Sequence, residues 1–376
     1  MAISSETHGP ARMDKWANMK VLVTCPELQK LGGVANYFRV LRRHFPPNVE
    51  YFIIGRKGNK GGLLRDVWRL LKDYACFLRK TRNGNYAIVH LNPSLLPKSL
   101  VRDAIFLLIA KSYDKKVIVF FRGWDPKWEH IIRRFFLRFF RFIYFRADAF
   151  IVLFSEFGIK LKDMGCPRPI HLETTVAANV IFAQGVAHLD KEKEDGIINI
   201  LFLTRIERTK GVYEAIEAYR ILKSCRPQAM LTLAGDGSEM KRVRAYITEK
   251  RIPDVRLLGY VVGNLKQKAF TDGDIYIYPS YFGEGMPNSV VEAMSYGLPI
   301  VTRAVGGIRD FFSNGEMGFI TESRDPEAFA EMLERLAADI NLRQKMGRFN
   351  YSYAEAHFKA SRVALRIGNI YRELLL

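Results

Sequence analysis

Short apolar runs rich in Val, Ile, Leu, Phe and Tyr recur along this chain, with enough sequence between them for a helix. They fall at Val21–Cys25, Tyr51–Ile54, Ala87–Leu91, Lys116–Phe121 and Ala149–Phe154. They return at Asn199–Thr204, Met230–Ala234, Val255–Leu258, Ile275–Tyr278, Pro299–Val301 and Gly318–Ile320. Amphipathic stretches such as Val212–Cys225, Glu239–Lys250, Val290–Tyr296 and Pro326–Ile340 lie between them. A period that keeps switching between strand and helix needs crossover connections, so it predicts parallel sheets with helices on both faces. The fold class expected is α/β, doubly wound.

One interruption divides the series. Residues 187–196 (AHLDKEKEDG) are polar and charged, and a new strand follows at once. A length of 376 residues also favours two cores over one. The expected organisation is a tail over 1–18, a Rossmann-like domain over 19–186, a linker at 187–196 and a second such domain from 197 to 354. Two doubly wound domains facing each other would leave a cleft ringed by strand C-terminal ends and helix N-termini, where such folds bind ligands.

Composition narrows the class further. Cys25, Cys76, Cys166 and Cys225 stand apart, with neither a Cys-x-x-Cys nor a Cys/His cluster, so a zinc site and a disulfide framework are not expected. The polar stretch Met1 to Lys20 lacks the apolar segment of a signal peptide, and no run of 18 apolar residues predicts a membrane-spanning helix. The compartment expected is the cytoplasm.

The net charge of +19 is unevenly placed. Residues 1–175 hold 31 Lys and Arg against 14 Asp and Glu, whereas residues 176–376 hold 27 against 25. The first half is therefore suited to an anionic partner. Trp128 to Arg146 reads as a basic amphipathic helix: Arg133, Arg134, Arg138 and Arg141 share one arc, and Ile132, Phe135, Phe136, Phe139, Phe140, Phe142 and Ile143 fill most of the rest. Such a helix fits an anionic bilayer surface, and a core helix with a solvated Arg face shows the same pattern. Lys72, Arg79, Lys80 and Arg82 add to the charge nearby. Nucleic acid is not expected as a partner, because no binding motif for it appears.

Candidate site residues cluster where strands end. Gly32-Gly33 follows the first strand and precedes a helix; paired glycines allow close approach of a ligand, or simply a tight turn. Arg205, Glu207, Arg208 and Lys210 leave the strand Asn199–Thr204 toward a helix start, a placement suited to a diphosphate and equally to a solvated loop. The densest stretch is DIYIYPSYFGEGMPNSVVEAMSYGLPIV, from Asp274 to Val301. In it Pro287 suits a helix's first turn, and Glu284 and Glu292 can accept hydrogen bonds from vicinal sugar hydroxyls. The alternative is a helix-start Glu and a salt-bridged Glu. Asp272-Gly273-Asp274 precedes a strand, at the wrong end for a cleft, so no metal is expected there.

The succession FLTRIERTKG, LAGDGSE, VRLLGYV, the Asp274–Val301 stretch, AVGGIRD and NGEMGF resembles the retaining GT-B glycosyltransferases of family 4, the group 1 glycosyltransferases, from Ile200 to Ile320. His357 to Leu374 resembles that family's last helix, so residues 355–376 are expected to return to the first domain. The resemblance implies transfer of a sugar from a UDP- or GDP-sugar to a hydroxyl of a glycan or lipid-linked acceptor, with retention and without a metal or other cofactor. It implies that Arg205 and Lys210 hold the leaving diphosphate, with Glu292 on the ribose. Glu284, Gly285, Met286, Pro287 and Asn288 would lie on the donor sugar and phosphates, Leu258, Gly259 and Tyr260 near the base, and Gly32 and Gly33 beside the phosphates. Relatives carry a His after a strand like Lys116–Phe121. Here that loop reads Phe121-Arg122-Gly123-Trp124-Asp125, which leaves Asp125 or Arg122 to act on the acceptor side, or no side-chain base at all. His90, with Asn92 beyond it, is a further candidate. Cell-surface polysaccharide or lipopolysaccharide synthesis on the inner face of the membrane is the expected setting. A nucleotide-sugar isomerase and a non-catalytic glycan- or membrane-binding subunit are the alternatives.

Overall fold

The computed structural model describes residues 20–29, 32–55, 63–189, 196–282 and 285–376. The chain divides into two compact units. Unit 1 runs to Glu173 and takes in Ala364–Leu376; unit 2 is Thr174–Val363.

Unit 1 holds β1 (Lys20–Pro26), β2 (Val49–Ile54), β3 (Tyr86–Leu91), β4 (Lys116–Phe121), β5 (Ala149–Val152) and β6 (Ile170–Leu172). They form one parallel sheet in the order β2-β1-β3-β4-β5-β6. The central strands are apolar throughout because both faces are covered: Val21, Leu22, Val23, Ile88, Val89 and Val117 through Phe121 are shut off from solvent. Unit 2 repeats the plan with β7 (Ile198–Leu203), β8 (Ala229–Ala234), β9 (Val255–Gly259), β10 (Ile275–Tyr278), β11 (Ile300–Arg303) and β12 (Gly318–Thr321). Their order is β12-β11-β10-β7-β8-β9, again all parallel. Two parallel α/β sheets of this kind are the doubly wound architecture expected from the alternation.

The division between units falls at Glu173/Thr174, before the polar run 187–196. Residues 179–186, expected in the first domain, belong to the helix Asn179–Leu189, which packs in unit 2: Tyr351 donates to the Phe182 carbonyl at 3.1 Å and Tyr296 to Gln184 Oε1 at 2.6 Å. The final helix, Ala360–Glu373, ends in unit 1, where Arg366 grips Glu173 at 2.8 and 3.0 Å and the Tyr371 hydroxyl meets His90 Nδ1 at 2.6 Å.

The stretch Trp128 to Arg146 departs from a single helix. It is built from Pro126–Ile131, a π turn at Ile132–Phe136, and Leu137–Tyr144. The wider π turn inserts a residue and rotates the helix beyond it. Ile132, Phe140, Ile143 and Tyr144 turn inward, but Phe135, Phe136, Phe139 and Phe142 are 54–67% exposed, interleaved with exposed Arg134, Arg138 and Arg146. Arg133, half-buried, bonds Glu129 at 2.9 Å, and Arg141, exposed like the others, also bonds the Met164 carbonyl through Nε at 2.6 Å. The aromatic side, which the core-helix alternative would cover, is thus largely open. Among the described residues no helix is long and apolar enough to cross a membrane.

Candidate active site

In unit 2 the strand order reverses between β7 and β10, with β8 continuing to one side and β11 to the other. Loops diverge at such a point and leave a crevice at the strand C-terminal ends. Arg205 leaves β7 there. Arg208–Lys210 make one 3-10 turn, and Gly211, at φ 77°, starts the helix Val212–Cys225. A Cβ on Gly211 would sit 2.4 Å from the Pro279 carbonyl oxygen, so only glycine allows this approach. The two loops are then stitched together: Tyr281 N donates to the Thr209 carbonyl at 3.0 Å and Ser280 Oγ at 3.3 Å.

This packing puts a cation inside. Lys210 is 2% exposed, its Nζ 4.8 Å from the centre of the Phe282 ring. Burial, helped by the like charge of Arg205, pushes its pKa down to about 8. Arg205 is open to solvent and its Nη1 pairs with Glu207 at 2.7 Å. Both positive groups stand at the β7 end, where a strong anion would be welcome.

The loop after β10 contributes the acceptors and amides. The helix Asn288–Ser295 begins just past Pro287 and carries no side-chain cap, so its first backbone N–H groups are free to meet a ligand. Met286 Sδ and Asn288 Oδ1 are held by Thr175, whose N donates to the sulfur at 3.5 Å and whose hydroxyl donates to the amide oxygen. The Gly285 carbonyl accepts from Gly307 N, which brings in the loop after β11. Glu292 is buried and both of its oxygens lie 2.7 Å from Lys266 Nζ, on the helix Gly263–Thr271. Glu284 lies outside the described residues.

At the end of β9, Gly259 accepts from Gly235 N at 2.7 Å, and no atom lies within 4 Å of the place a Gly259 Cβ would take. Tyr260 beside it is exposed, so this edge of the crevice is open. Asp272 and Asp274 lie at the other end of the sheet: the Asp272 carbonyl and the Asp274 carboxylate bind Asn199 at 2.9 and 2.8 Å.

Unit 1 has its own reversal, between β1 and β3. Gly32 (φ 143°) precedes the helix Gly33–Leu41 as an N-cap without a side-chain bond. Asp125 caps the helix Pro126–Ile131, its Oδ1 accepting from Trp128 N at 2.9 Å. That task orders the loop and explains the residue without any chemistry. His90 is fully buried and its pKa falls to about 3, chiefly through burial, so it stays neutral. Residue-by-residue reading missed Lys266 and Thr175. Each meets its partner only through tertiary packing, so no local signal marks them.

Residues 188–353 match the family model "Glycosyl transferases group 1". The chain is 26% identical over 194 residues to the putative colanic acid biosynthesis glycosyltransferase WcaL of Salmonella typhimurium, covering 50% of this chain and 47% of that protein. It is 24% identical over 298 residues to the amylovoran biosynthesis glycosyltransferase AmsK of Erwinia amylovora, covering 78% and 70%. The chain thus spans about half the length of the first of these relatives. The structure of Anabaena HepE in complex with UDP-glucose superposes at a TM-score of 0.71 and 17% identity, covering 95% of this chain and all of that one. The two units therefore have the GT-B fold, and residues 188–353 resemble the domain of the group 1 glycosyltransferases.

Proposed function

We propose that this chain moves a sugar from a nucleotide-sugar to a hydroxyl of a glycan or lipid-linked acceptor, with retention at the anomeric carbon. The observation that carries the reading is the buried Lys210 beside Arg205 at the reversal of the unit 2 sheet. In the reaction the anomeric C–O bond to the diphosphate breaks and its electron pair goes to the departing phosphate oxygen. The acceptor oxygen bonds to that carbon and its proton is released. Negative charge grows on the diphosphate, and fixed cations there act most strongly in the transition state. Arg205 and Lys210 supply that charge from the protein itself, so the reading includes no metal. Glu292, oriented by Lys266, accepts from the ribose hydroxyls, and the N-terminus of Asn288–Ser295 faces the phosphates.

A UDP-sugar is the proposed donor, since the complex of HepE holds UDP-glucose. Cell-surface polysaccharide synthesis is the proposed setting, after the names of WcaL and AmsK. The exposed Phe135, Phe136, Phe139 and Phe142 with their arginines would bring unit 1 to an anionic bilayer on the inner face of the membrane. The test offers labelled UDP-glucose, UDP-galactose and GDP-mannose with a lipid-linked acceptor extract. Label reaching the lipid phase, and falling at least a hundredfold in Arg205→Ala and Lys210→Ala, supports the reading. Equal transfer by the variants overturns it.

A further inference from the structure

Arg122, just past β4, occupies an unusual place. Its guanidinium carbon lies 3.8 Å from the centre of the Tyr37 ring and 4.3 Å from that of Phe120, so aromatic faces cover the group. Such stacking leaves the in-plane N–H groups as its hydrogen-bonding edge. Two of those nitrogens, Nε and Nη1, are buried without a hydrogen-bond partner, and no carboxylate pairs with the side chain among the described residues. The residue as a whole is only half-buried, and the Tyr37 hydroxyl is a neutral polar neighbour of its guanidinium.

Beside Arg122, His90 and Asn92 are buried and partner each other, while His90 Nδ1 is engaged by Tyr371 and Asn92 Nδ2 by the Thr24 carbonyl at 2.9 Å. These residues come from the C-terminal ends of β3 and β4, beside the β1/β3 reversal of the sheet. The loops are locked to each other, Arg122 N donating to the Pro93 carbonyl at 2.8 Å and Leu95 N to that of Gly123 at 2.9 Å. Buried polar groups of folded proteins are almost always paired, so the two guanidinium nitrogens without a hydrogen-bond acceptor mark a missing partner. A buried guanidinium without a carboxylate calls for an anion.

We propose that the Arg122 edge is an oxyanion site of unit 1, which takes the phosphate or carboxylate of the acceptor. The anion site itself needs only Arg122 and its neighbours in unit 1; its assignment to the acceptor rests on the sugar-transfer reading. A sugar bearing an acidic group would set its oxyanion on Arg122.

The experiment is calorimetric titration of the full chain carrying Arg205→Ala and Lys210→Ala, which removes the competing anion site of unit 2. Inorganic phosphate and acetate are titrated separately, to tell a phosphate site from a carboxylate site. One of them should bind, and adding Arg122→Gln should weaken it at least tenfold while the thermal midpoint in anion-free buffer stays the same or rises. Arg122→Lys, which keeps the charge without the planar fork, should fall between. Binding of neither anion, binding indifferent to Arg122→Gln, or a large loss of folding in both Arg122 variants overturns the proposal and makes the stack structural. UDP-glucose binding by the chain without substitutions is measured alongside: its failure counts against the sugar-transfer reading and leaves the anion result standing.

Discussion

Lys266 Nζ sits 2.7 Å from both carboxylate oxygens of Glu292, joining the helix Gly263–Thr271 to the helix Asn288–Ser295. A carboxylate held this way is fixed in orientation before any ligand arrives. Lys266→Met leaves it buried without its cation, and hydrogen bonds to charged groups are worth about 1.5–3 kcal/mol. Donor KM should rise roughly tenfold with kcat almost unchanged, the pattern of lost ground-state binding. Steady-state kinetics with varied donor checks it; an unchanged KM removes Glu292 from the donor site.

The pKa of Lys210, lowered to about 8, sets a pH dependence. Below that pH the amine is charged and ready for a diphosphate; above it the charge is lost. For the free enzyme, kcat/KM for the donor should therefore fall as pH rises through about 8. In Lys210→Met this limb should be absent at a much lower plateau.

The same group predicts a stability effect of opposite sense. Its folded pKa lies below the unfolded value, so the unfolded chain binds more protons between about pH 8 and 10.5 and stability rises across that window. At neutral pH the buried charge costs up to roughly 3 kcal/mol, since each tenfold change in acidity is about 1.4 kcal/mol. Lys210→Met should thus melt higher than the unsubstituted chain at pH 7 and lose that advantage by pH 10.5. A lower melting point at pH 7 would mean that packing, not charge, dominates there.

Gly211→Ala tests the stitching of the two loops. The added methyl would meet the Pro279 carbonyl at 2.4 Å in a left-handed backbone conformation. Strain of this kind costs about 1–3 kcal/mol, and the 3-10 turn bearing Lys210 must move. Denaturant melts should show the loss, and donor KM should rise with it. A neutral substitution would show that the approach is not needed.

For the outer face of unit 1, replacing Phe135, Phe136, Phe139 and Phe142 with Ser should weaken cosedimentation with phosphatidylglycerol vesicles at least tenfold. High salt should weaken the arginine contribution alone, because charge is screened and apolar insertion is not. Vesicle binding that ignores the four substitutions would leave the face without a role at the membrane.

The alternation of apolar runs was enough to read eleven strands and the parallel architecture, because strands buried on both faces stay apolar along their length. β6, only Ile170–Leu172 and partly exposed at the sheet edge, carries no such signal. Charge misled at 187–196: polarity marks a surface segment, but the helix Asn179–Leu189 before it docks through Phe182 and Gly185, whose fit against Ser295 and Tyr351 no local pattern encodes. The wheel over Trp128–Arg146 failed because it assumes a constant turn, and the π segment breaks that assumption. The spacing put Arg205 and Lys210 just past a strand and Glu292 within the next strand's following helix, which is where the structure has them. Lys266 beside Glu292, and Tyr37 and Phe120 around Arg122, join elements distant in sequence and appear only in three dimensions.

Whether Arg205 and Lys210 grip a diphosphate is tested most directly by a thermodynamic comparison of UDP with uridine. Calorimetric titration of the unsubstituted chain should give UDP a large advantage over uridine, which lacks the phosphates. In the Arg205→Ala, Lys210→Ala chain that advantage should shrink by at least tenfold while uridine binds as before. An undiminished preference for UDP in the double variant would contradict the diphosphate grip and the sugar transfer built on it.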